Sequence, residues 1–344
     1  MMKSWMMPLL AEAYTAYGRH TFYRQWVRSI SQALVLEGDE PIVSAILHGL
    51  VKHLSSHNLW TFSVAHNPHL VSGVILSPEN VAILGPSWLP YLPLGQSARW
   101  YESVTISPTR PITPQIPPGV FRHLFIAKEY LHDLQSLWDK QRRFHDELQD
   151  IQRRLIAQLP MHNQEDKILA SHAFLSTLTP LGPFFLHQHV APCHIRRTFI
   201  MSPLGADVSP LLKRVGLYAA SHHHRVLFVH CGLDPSSIDH VYFPDLSWII
   251  SHNIAPHHIP ARGTDEVITL TAPFIHGPKD CAQIENIYYL FAQAYHQAWE
   301  EISQMPVTST VQDNTADIAS WIETILSHPV LQSVVKNRQM TGKP

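Results

Sequence analysis

The stretch of sequence that decides the fold is Arg197–Pro260, RTFIMSPLGADVSPLLKRVGLYAASHHHRVLFVHCGLDPSSIDHVYFPDLSWIISHNIAPHHIP. It begins with an apolar, strand-like run, Thr198–Met201, which is followed by a turn-rich loop, Ser202–Ser209. A helix is predicted next, because Pro210 suits the first helical position and apolar residues recur after it at helical spacing. Three further apolar runs follow at residues 226–230, 241–243 and 248–250. Strand, loop, helix and strand in this order predict a βαβ unit and an α/β fold.

The loop Ser202–Ser209 lies where α/β proteins carry a phosphate-binding loop. A working P-loop has the pattern Gly-x4-Gly-Lys-Ser/Thr, in which backbone N–H groups, the lysine and the hydroxyl hold the phosphates and Mg²⁺. Here Ser209 alone matches that register, and Asp207 and Val208 stand in place of Gly and Lys. Asp207 also opposes phosphate binding, because it adds negative charge to the loop. The candidate phosphate-binding residues of this degenerate loop are Ser202, Gly205, Ser209 and Arg197.

Four short motifs follow one another in and after the second predicted strand. They are His230-Cys231, the segment 234–239 (DPSSID), Pro244-Asp245-Leu246 and Ala255-Pro256-His257. In order and spacing, they resemble an uncharacterised bacterial family of tandem P-loop ATPase-like proteins. The resemblance implies two tandem units of the P-loop NTPase fold. It fails at the loop lysine and at His252, where the family tends to place an acidic residue.

The first part of the chain repeats the second in outline. Thr15-x-x-Gly18 matches Thr179-x-x-Gly182 at a distance of 164 positions, and Asn67-Pro68 matches Asp234-Pro235 at a distance of 167. The corresponding first loop, residues 37–44, ends in a hydroxyl and also lacks the Gly-Lys pair. An internal duplication therefore predicts that residues 13–91 and 177–257 share one strand order in parallel sheets. The alternative is that two α/β units share this rhythm without a common origin.

The predicted domain organisation has four segments. A first degenerate P-loop NTPase-like unit spans residues 1–120, of which the proline-rich stretch 85–119 is expected to be irregular. Leucines near heptad spacing predict a long helix or a helical hairpin over residues 121–160. A second degenerate unit spans residues 161–275. C-terminal helices, a shorter one at 284–302 and a last one at 317–326, and a tail occupy residues 276–344.

Composition limits the classes of partner. The net charge is −2 and the pI is about 6.9, so no strong positive field is available for nucleic acid. No apolar run approaches the roughly 20 residues of a membrane-spanning helix. The three cysteines, Cys193, Cys231 and Cys281, are widely spaced, which argues for a reducing compartment. These features predict a cytoplasmic protein that binds neither nucleic acid nor membranes.

A metal site is the second candidate. His230 ends a predicted strand, and ligands of open α/β sheets collect beyond the carboxyl ends of the strands. Imidazole and carboxylate groups at such an edge could bind a divalent ion. The alternative is that Asp234 and its neighbours serve as turn and cap residues. The candidate metal ligands are His230, Asp234, Asp239 and His257.

These observations favour a binding or scaffold protein that does not hydrolyse nucleotides, whose partner is another protein or a small molecule. Both loops lack the lysine, so the sequence favours the absence of enzyme activity without excluding it. No cofactor is expected. The alternatives are an ATP-binding protein or ATPase that uses a non-standard loop with ATP and Mg²⁺, and a divalent-metal site at the sheet edge of the second unit.

Overall fold

The computed structural model describes residues 4–77, 79–93, 101–107, 115–140, 142–161, 170–187, 195–203, 205–254, 258–270, 278–306 and 315–332. This part of the chain forms two compact units. Unit 1 comprises the described residues within 1–12, 21–115 and 306–344. Unit 2 comprises those within 13–20 and 116–305.

Unit 1 is built on a six-stranded sheet. Its strands are β1 (Met6–Leu10), β4 (Gln32–Glu37), β5 (Asn58–Ser63), β6 (Val71–Ser77), β7 (Val81–Leu84) and β8 (Tyr101–Thr105). They lie in the order β1-β5-β6-β7-β4-β8. The helices are α1 (Tyr23–Ser29), α2 (Glu40–His53) and α7 (Thr315–Leu326). The sheet shares an apolar core with α2 and α7, in which Leu47 and Ile325 are buried.

Unit 2 repeats this arrangement. Its sheet strands are β9 (Ala170–Phe174), β12 (Arg196–Met201), β13 (Val226–His230), β14 (Ile238–Phe243), β15 (Trp248–His252) and β16 (Glu266–Thr269). They lie in the order β9-β13-β14-β15-β12-β16. The helices are α3 (Pro118–Asp139), α4 (Arg142–Ile156), α5 (Ser209–Ser221) and α6 (Pro278–Ile302). Pro210, predicted as the first helical residue, is the second residue of α5, because the helix begins at Ser209.

The two sheets have the same strand order, as the duplication predicts, but the expectation of parallel sheets is wrong in part. β6 is antiparallel to both β5 and β7, and β14 is antiparallel to both β13 and β15. The physical reason is the length of the connections, since only three residues separate β6 from β7 and four separate β14 from β15. Parallel neighbours require a crossover of a dozen or more residues. The remaining pairs in each sheet are parallel.

Two β-hairpins, β2 (Glu12–Thr15) with β3 (Gly18–Thr21) and β10 (Ser176–Thr179) with β11 (Gly182–Phe185), carry the matched Thr-x-x-Gly motifs. The Thr15 hydroxyl donates to the Gly18 carbonyl at 2.9 Å, and the Thr179 hydroxyl donates to the Gly182 carbonyl at 2.7 Å. Both glycines have positive φ, +98° and +119°, which glycine adopts without steric cost. Residues 13–20 belong to unit 2.

A second pair of equivalent hydrogen bonds lies under the two loops. The Ser44 hydroxyl accepts the Val71 N–H at 2.8 Å, and the Ser209 hydroxyl accepts the Ile238 N–H at 2.8 Å. Both serines are buried; Ser209 is the first residue of α5, and Ser44 is the fifth residue of α2. We therefore treat β1–β8 as the first repeat and β9–β16 as the second repeat.

The helical segments depart from the predictions in detail. The predicted helix or hairpin at 121–160 consists of two helices, α3 and α4. The predicted shorter helix at 284–302 begins earlier, and α6 has 25 residues, against 22 in α3. The proline-rich stretch 85–119 is not wholly irregular, because it contains β8, the edge strand of its sheet. Within the described ranges, no helix combines the length and the apolar character that crossing a bilayer requires.

Candidate functional site

Unit 2 contains a cavity of about 470 Å³ beside the degenerate loop. Its wall is formed by α3, the β10–β11 hairpin, the loop before α5, the connection from β13 to β14, the end of β15, and α6. Gly205, Asp207 and Ser209 of the loop line it, together with Cys231 and Asp239. The cavity therefore lies beyond the carboxyl ends of β12 and β13, where ligands bind in open α/β sheets.

The loop satisfies its own backbone donor with a carboxylate. Asp207 Oδ1 accepts the N–H of Ser209 at 2.9 Å, at the N-terminus of α5. In a phosphate-binding loop, the N–H groups at this position and the positive end of the helix dipole serve the anion. Burial raises the pKa of Asp207, and the neighbouring carboxylates Asp139 and Asp234 raise it further. The hydrogen bond from the Ser209 N–H acts in the opposite direction but does not outweigh them. An acidic side chain thus occupies the place of an anionic ligand.

Helix α3 packs against the loop at Gly205. Gly205 has a φ of +81°, and a Cβ built on it would lie 2.6 Å from the Cβ of Leu134. Leu134 is buried, so the backbone of the loop is packed directly against α3. Val208, where a P-loop has its lysine, is fully buried in the apolar core of unit 2. Position 208 therefore contributes to the apolar core, and a lysine there would place its charge among buried apolar side chains.

The other candidate phosphate-binding residues are engaged elsewhere. Arg197 and Asp265 form a buried ion pair, with the Arg197 Nε 2.8 Å from Asp265 Oδ1 and a second contact from Nη2 to Oδ2. Burial alone would raise the pKa of Asp265, but the hydrogen bonds and charges of Arg197 and Arg262 together outweigh it and hold this pKa below its ordinary value. Ser202 lies at the end of β12, with its Oγ 2.6 Å from Nε2 of His252. The pairing of β12 with β15 brings these two residues together.

Cys231 and Asp239 both line the cavity and contact each other. The Cys231 thiol hydrogen-bonds to the Asp239 carboxylate. Burial raises the pKa of Asp239 to about 7, and the charges of Asp207 and Asp234 add to the effect. Burial likewise raises the pKa of the Cys231 thiol, with further contributions from Asp239 and Asp234. Cys231 is therefore a thiol at neutral pH and a poor nucleophile.

The residues predicted as metal ligands have separate partners. His230 Nδ1 donates to the carbonyl of Pro235 at 2.6 Å, which leaves Nε2 as the acceptor for the Nδ1–H of His172 at 2.7 Å. Burial and His172 lower the pKa of His230 to about 4, so the ring is neutral. His230, the last residue of β13, does not line the cavity, whereas Cys231, the residue directly after the strand, does.

Asp234 serves as a turn residue. Its Oδ1 accepts the N–H and the hydroxyl of Ser236 at 2.9 and 2.6 Å, and its Oδ2 lies 3.0 Å from Nε2 of His132. His257 lies outside the described residues. Among the residues that the structure does describe, no three His, Cys, Asp or Glu side chains are grouped to hold a metal ion.

Helix α6 contributes an aromatic wall that the sequence reasoning missed. Tyr288, Phe291, Tyr295 and Trp299 follow one another at intervals of three or four residues, so that they share one face of the helix, and all four line the cavity. Phe185 of β11 lines it as well. The spacing could have revealed this face, but nothing in the sequence pairs it with a loop that lies 80 residues earlier.

No protein-family model, no curated protein and no solved structure matches this chain.

Proposed function

We propose that this protein binds a small molecule in the cavity of unit 2 and does not transfer phosphoryl groups. On this proposal, the chain is a degenerate tandem P-loop NTPase-like protein whose second loop has become part of a different ligand site. One observation carries the proposal. The Asp207 carboxylate already accepts the Ser209 N–H, which a bound phosphate would need.

Charge and space both argue against a nucleotide. A phosphate at the loop would lie beside Asp207, and the loop has no lysine to offset the repulsion. Leu134 also packs against Gly205, where the loop would have to curl around the phosphate. Phosphoryl transfer depends almost wholly on positioning and charge neutralisation. Loss of one preorganised donor commonly costs about 10²–10³ in rate, and here several are replaced together.

The cavity, by contrast, suits a small ligand. Its volume of about 470 Å³ lies within the range of roughly 300–1,000 Å³ that is typical of ligand sites. Five aromatic residues line it, together with polar residues that include Asp207, Ser209 and Asp239. Ligand sites typically combine a mainly apolar wall with a small number of polar groups that orient the bound molecule.

Nucleotide assays test the negative half of the proposal. We expect purified protein with millimolar ATP or GTP and Mg²⁺ to show no turnover above the buffer rate and no thermal shift, whereas a ligand at 100 times its Kd would stabilise the protein by about 2.7 kcal/mol. Turnover that is lost in Ser209→Ala and retained in Ser221→Ala would overturn the proposal. Ser221 is an exposed residue at the other end of the same helix, which makes it a matched control.

A dye-binding assay tests the positive half. N-phenyl-1-naphthylamine is a small, neutral, apolar dye that fluoresces in apolar surroundings, and we expect saturable binding to the wild-type protein. Ala292→Trp should abolish it, because Ala292 is an exposed α6 residue that lines the cavity, so that an indole there would fill the space. Gln297→Trp adds the same side chain to an exposed α6 residue outside the lining and should retain binding. Equal binding by both variants would place the dye elsewhere.

A further inference from the structure

Three rings of the aromatic wall lie nearly parallel to one another. Tyr288, Phe291 and Tyr295 follow at intervals of three and four residues on α6, and all three line the cavity. The ring planes of Tyr288 and Phe291 differ by 20°, and those of Phe291 and Tyr295 differ by 22°, with centroids 6.0 and 6.1 Å apart. A flat ligand ring that lies parallel to Phe291 is therefore within 22° of parallel to both of its neighbours.

Parallel rings favour a flat occupant over a puckered one. Aromatic rings attract one another in offset-stacked arrangements, and each such pair contributes free energy beyond the area that it buries. A saturated ring of the same size has no π system and departs from a plane, so it gains burial alone. Phe185 and Trp299 line the cavity as well and add to its aromatic surface.

Tyr295 also offers a polar group. Its hydroxyl has no hydrogen-bond partner among the residues that the structure describes. Burial raises the pKa of this hydroxyl, and the nearby Cys231 raises it further, so the group is a neutral donor at ordinary pH. A hydroxyl held away from water without a partner costs free energy, and an acceptor on a ligand would remove this cost. Tyr295 thus combines a ring for stacking with a donor for orientation.

The composition of the lining indicates that the acceptor on the ligand is uncharged. The described residues of the lining include no lysine and no arginine. A carboxylate or phosphate group would therefore lose its hydration in the cavity without gaining either of these cations. A carbonyl oxygen or a ring nitrogen loses less free energy on leaving water, and one hydroxyl donor is enough to satisfy it.

From these observations we infer that the cavity of unit 2 binds a flat aromatic molecule with an uncharged hydrogen-bond acceptor. Its ring packs against Tyr288, Phe291 and Tyr295, and its acceptor receives the hydrogen bond of the Tyr295 hydroxyl. The inference rests on the proposed function, because it assigns the ligand class of the same cavity. The volume of about 470 Å³ limits the occupant to a small molecule.

Displacement of the naphthylamine dye by three matched compounds at pH 8 tests the inference. Coumarin is flat and carries a carbonyl acceptor, octahydrocoumarin keeps the carbonyl on a saturated, puckered frame, and naphthalene is flat without an acceptor. We expect coumarin to bind about tenfold more tightly than octahydrocoumarin, which corresponds to about 1.4 kcal/mol. This difference is comparable with the contribution of one aromatic pair.

Two variants separate the ring from the hydroxyl. Tyr295→Phe keeps the ring and should weaken coumarin about fivefold, as expected for one hydrogen bond, while naphthalene stays within twofold. Phe291→Leu removes the central ring and should weaken both flat compounds about tenfold, while octahydrocoumarin stays within twofold. Tyr289→Phe is the matched control and should change no affinity. Tyr289 is 59% exposed on α6, lies outside the lining, and accepts a hydrogen bond from Gln293.

The outcomes distinguish the inference from the proposed function. If Ala292→Trp blocks the dye but octahydrocoumarin displaces it as well as coumarin does, the flat-ligand assignment is wrong and a small-molecule site remains. The inference also fails if coumarin does not displace the bound dye, or if Tyr295→Phe leaves the affinity for coumarin unchanged. If the dye does not bind and none of the three compounds raises the melting temperature, the proposed function fails with it.

Discussion

In the loops of both repeats a side-chain oxygen accepts a backbone N–H, but the side chains that do so differ. In the first repeat, the Asp39 N–H donates to the Ser107 hydroxyl at 2.8 Å, and Gly38 packs so closely against Ser107 that an added Cβ would lie 2.8 Å from its N and Oγ atoms. In the second repeat, the carboxylate of Asp207 accepts the Ser209 N–H. Neither loop leaves these backbone donors to a phosphate.

The difference between the repeats lies in the residues around the loops. Strand register aligns Asp239 with Ser72, whose hydroxyl is buried and donates to the Phe62 carbonyl at 3.1 Å, and it aligns Cys231 with Val64. Because Ser44 corresponds to Ser209, Ile42 is the residue of the first loop that corresponds to Asp207. Asp207 and Asp239, the two carboxylates of the cavity lining, therefore have no acidic counterpart at the aligned positions of the first repeat. The two repeats share a buried serine hydrogen bond and an apolar core, but they differ in the charge of the residues around the loop.

Restoring the missing lysine tests whether the loops are merely degenerate or structurally committed. Val208→Lys and Val43→Lys both place an ammonium in a fully buried position. An uncompensated buried charge costs about 3–5 kcal/mol, so we expect each variant to lose stability by this amount in urea denaturation.

Val267→Lys provides the matched control for this experiment, since Val267 is 48% exposed on β16 and should tolerate the change within about 0.5 kcal/mol. A stable Val208→Lys protein that binds ATP would show that the second loop is a P-loop with one residue changed.

Neutralising Asp239 tests the chemistry that distinguishes the repeats. In the folded protein, burial holds the pKa of Asp239 at about 7, above its ordinary value of 3.8, with Asp207, Asp234 and Cys231 around it. The folded state therefore retains a proton that the unfolded chain releases, and the free energy of unfolding falls as the pH rises from about 4 to about 7. Asp239→Asn lacks this loss, so it should be more stable than wild type at pH 8 by about 2–4 kcal/mol.

Urea denaturation at pH 5 and pH 8 measures this effect, and the stabilisation should be smaller at pH 5. Asp133→Asn, which changes an exposed carboxylate, should follow the wild type at both pH values. An Asn variant that is destabilised equally at both pH values would mean that Asp239 is held as a carboxylate by favourable contacts, contrary to the electrostatics described above.

Removing the shared serine hydroxyls should have the smallest effect and the same effect in both repeats. Ser44→Ala and Ser209→Ala each leave one buried strand N–H, of Val71 or Ile238, without its acceptor. An unsatisfied buried donor costs about 1–3 kcal/mol. We expect losses near 1–2 kcal/mol for each, measured by chemical denaturation, with Ser221→Ala near zero. Very unequal losses would argue that one serine has a role beyond the scaffold.

Local signals in the sequence predicted the parts of this structure that depend on neighbours along the chain. Pro210 marks the start of α5, the apolar runs become β12 to β15, and Thr15 and Thr179 locate equivalent hairpins. The negative influence of Asp207 was also evident, because the charge lies inside the loop itself.

The cavity could not be predicted in this way. It depends on the packing of Leu134 and Tyr295, on two helices that lie 70 residues before and 90 residues after the loop. The direction of β6 and β14 was missed for a related reason, because an apolar strand has the same pattern whichever way it runs. The hydrogen bond between Cys231 and Asp239 joins the first residue after β13 to the second residue of β14, so it depends on how the connection between these strands folds back.

The division of the chain has a consequence for biosynthesis. Unit 1 needs residues beyond 306 and unit 2 needs residues 13–20, so neither is a contiguous stretch of polypeptide. Ile322 and Ile325 of α7 are buried in the core of unit 1 with Leu47, which is translated almost 280 residues earlier. At about 5–20 residues per second, a ribosome leaves the apolar face of α2 without this cover for roughly 14 to 56 seconds. The nascent chain must therefore be kept from aggregating through most of its own translation.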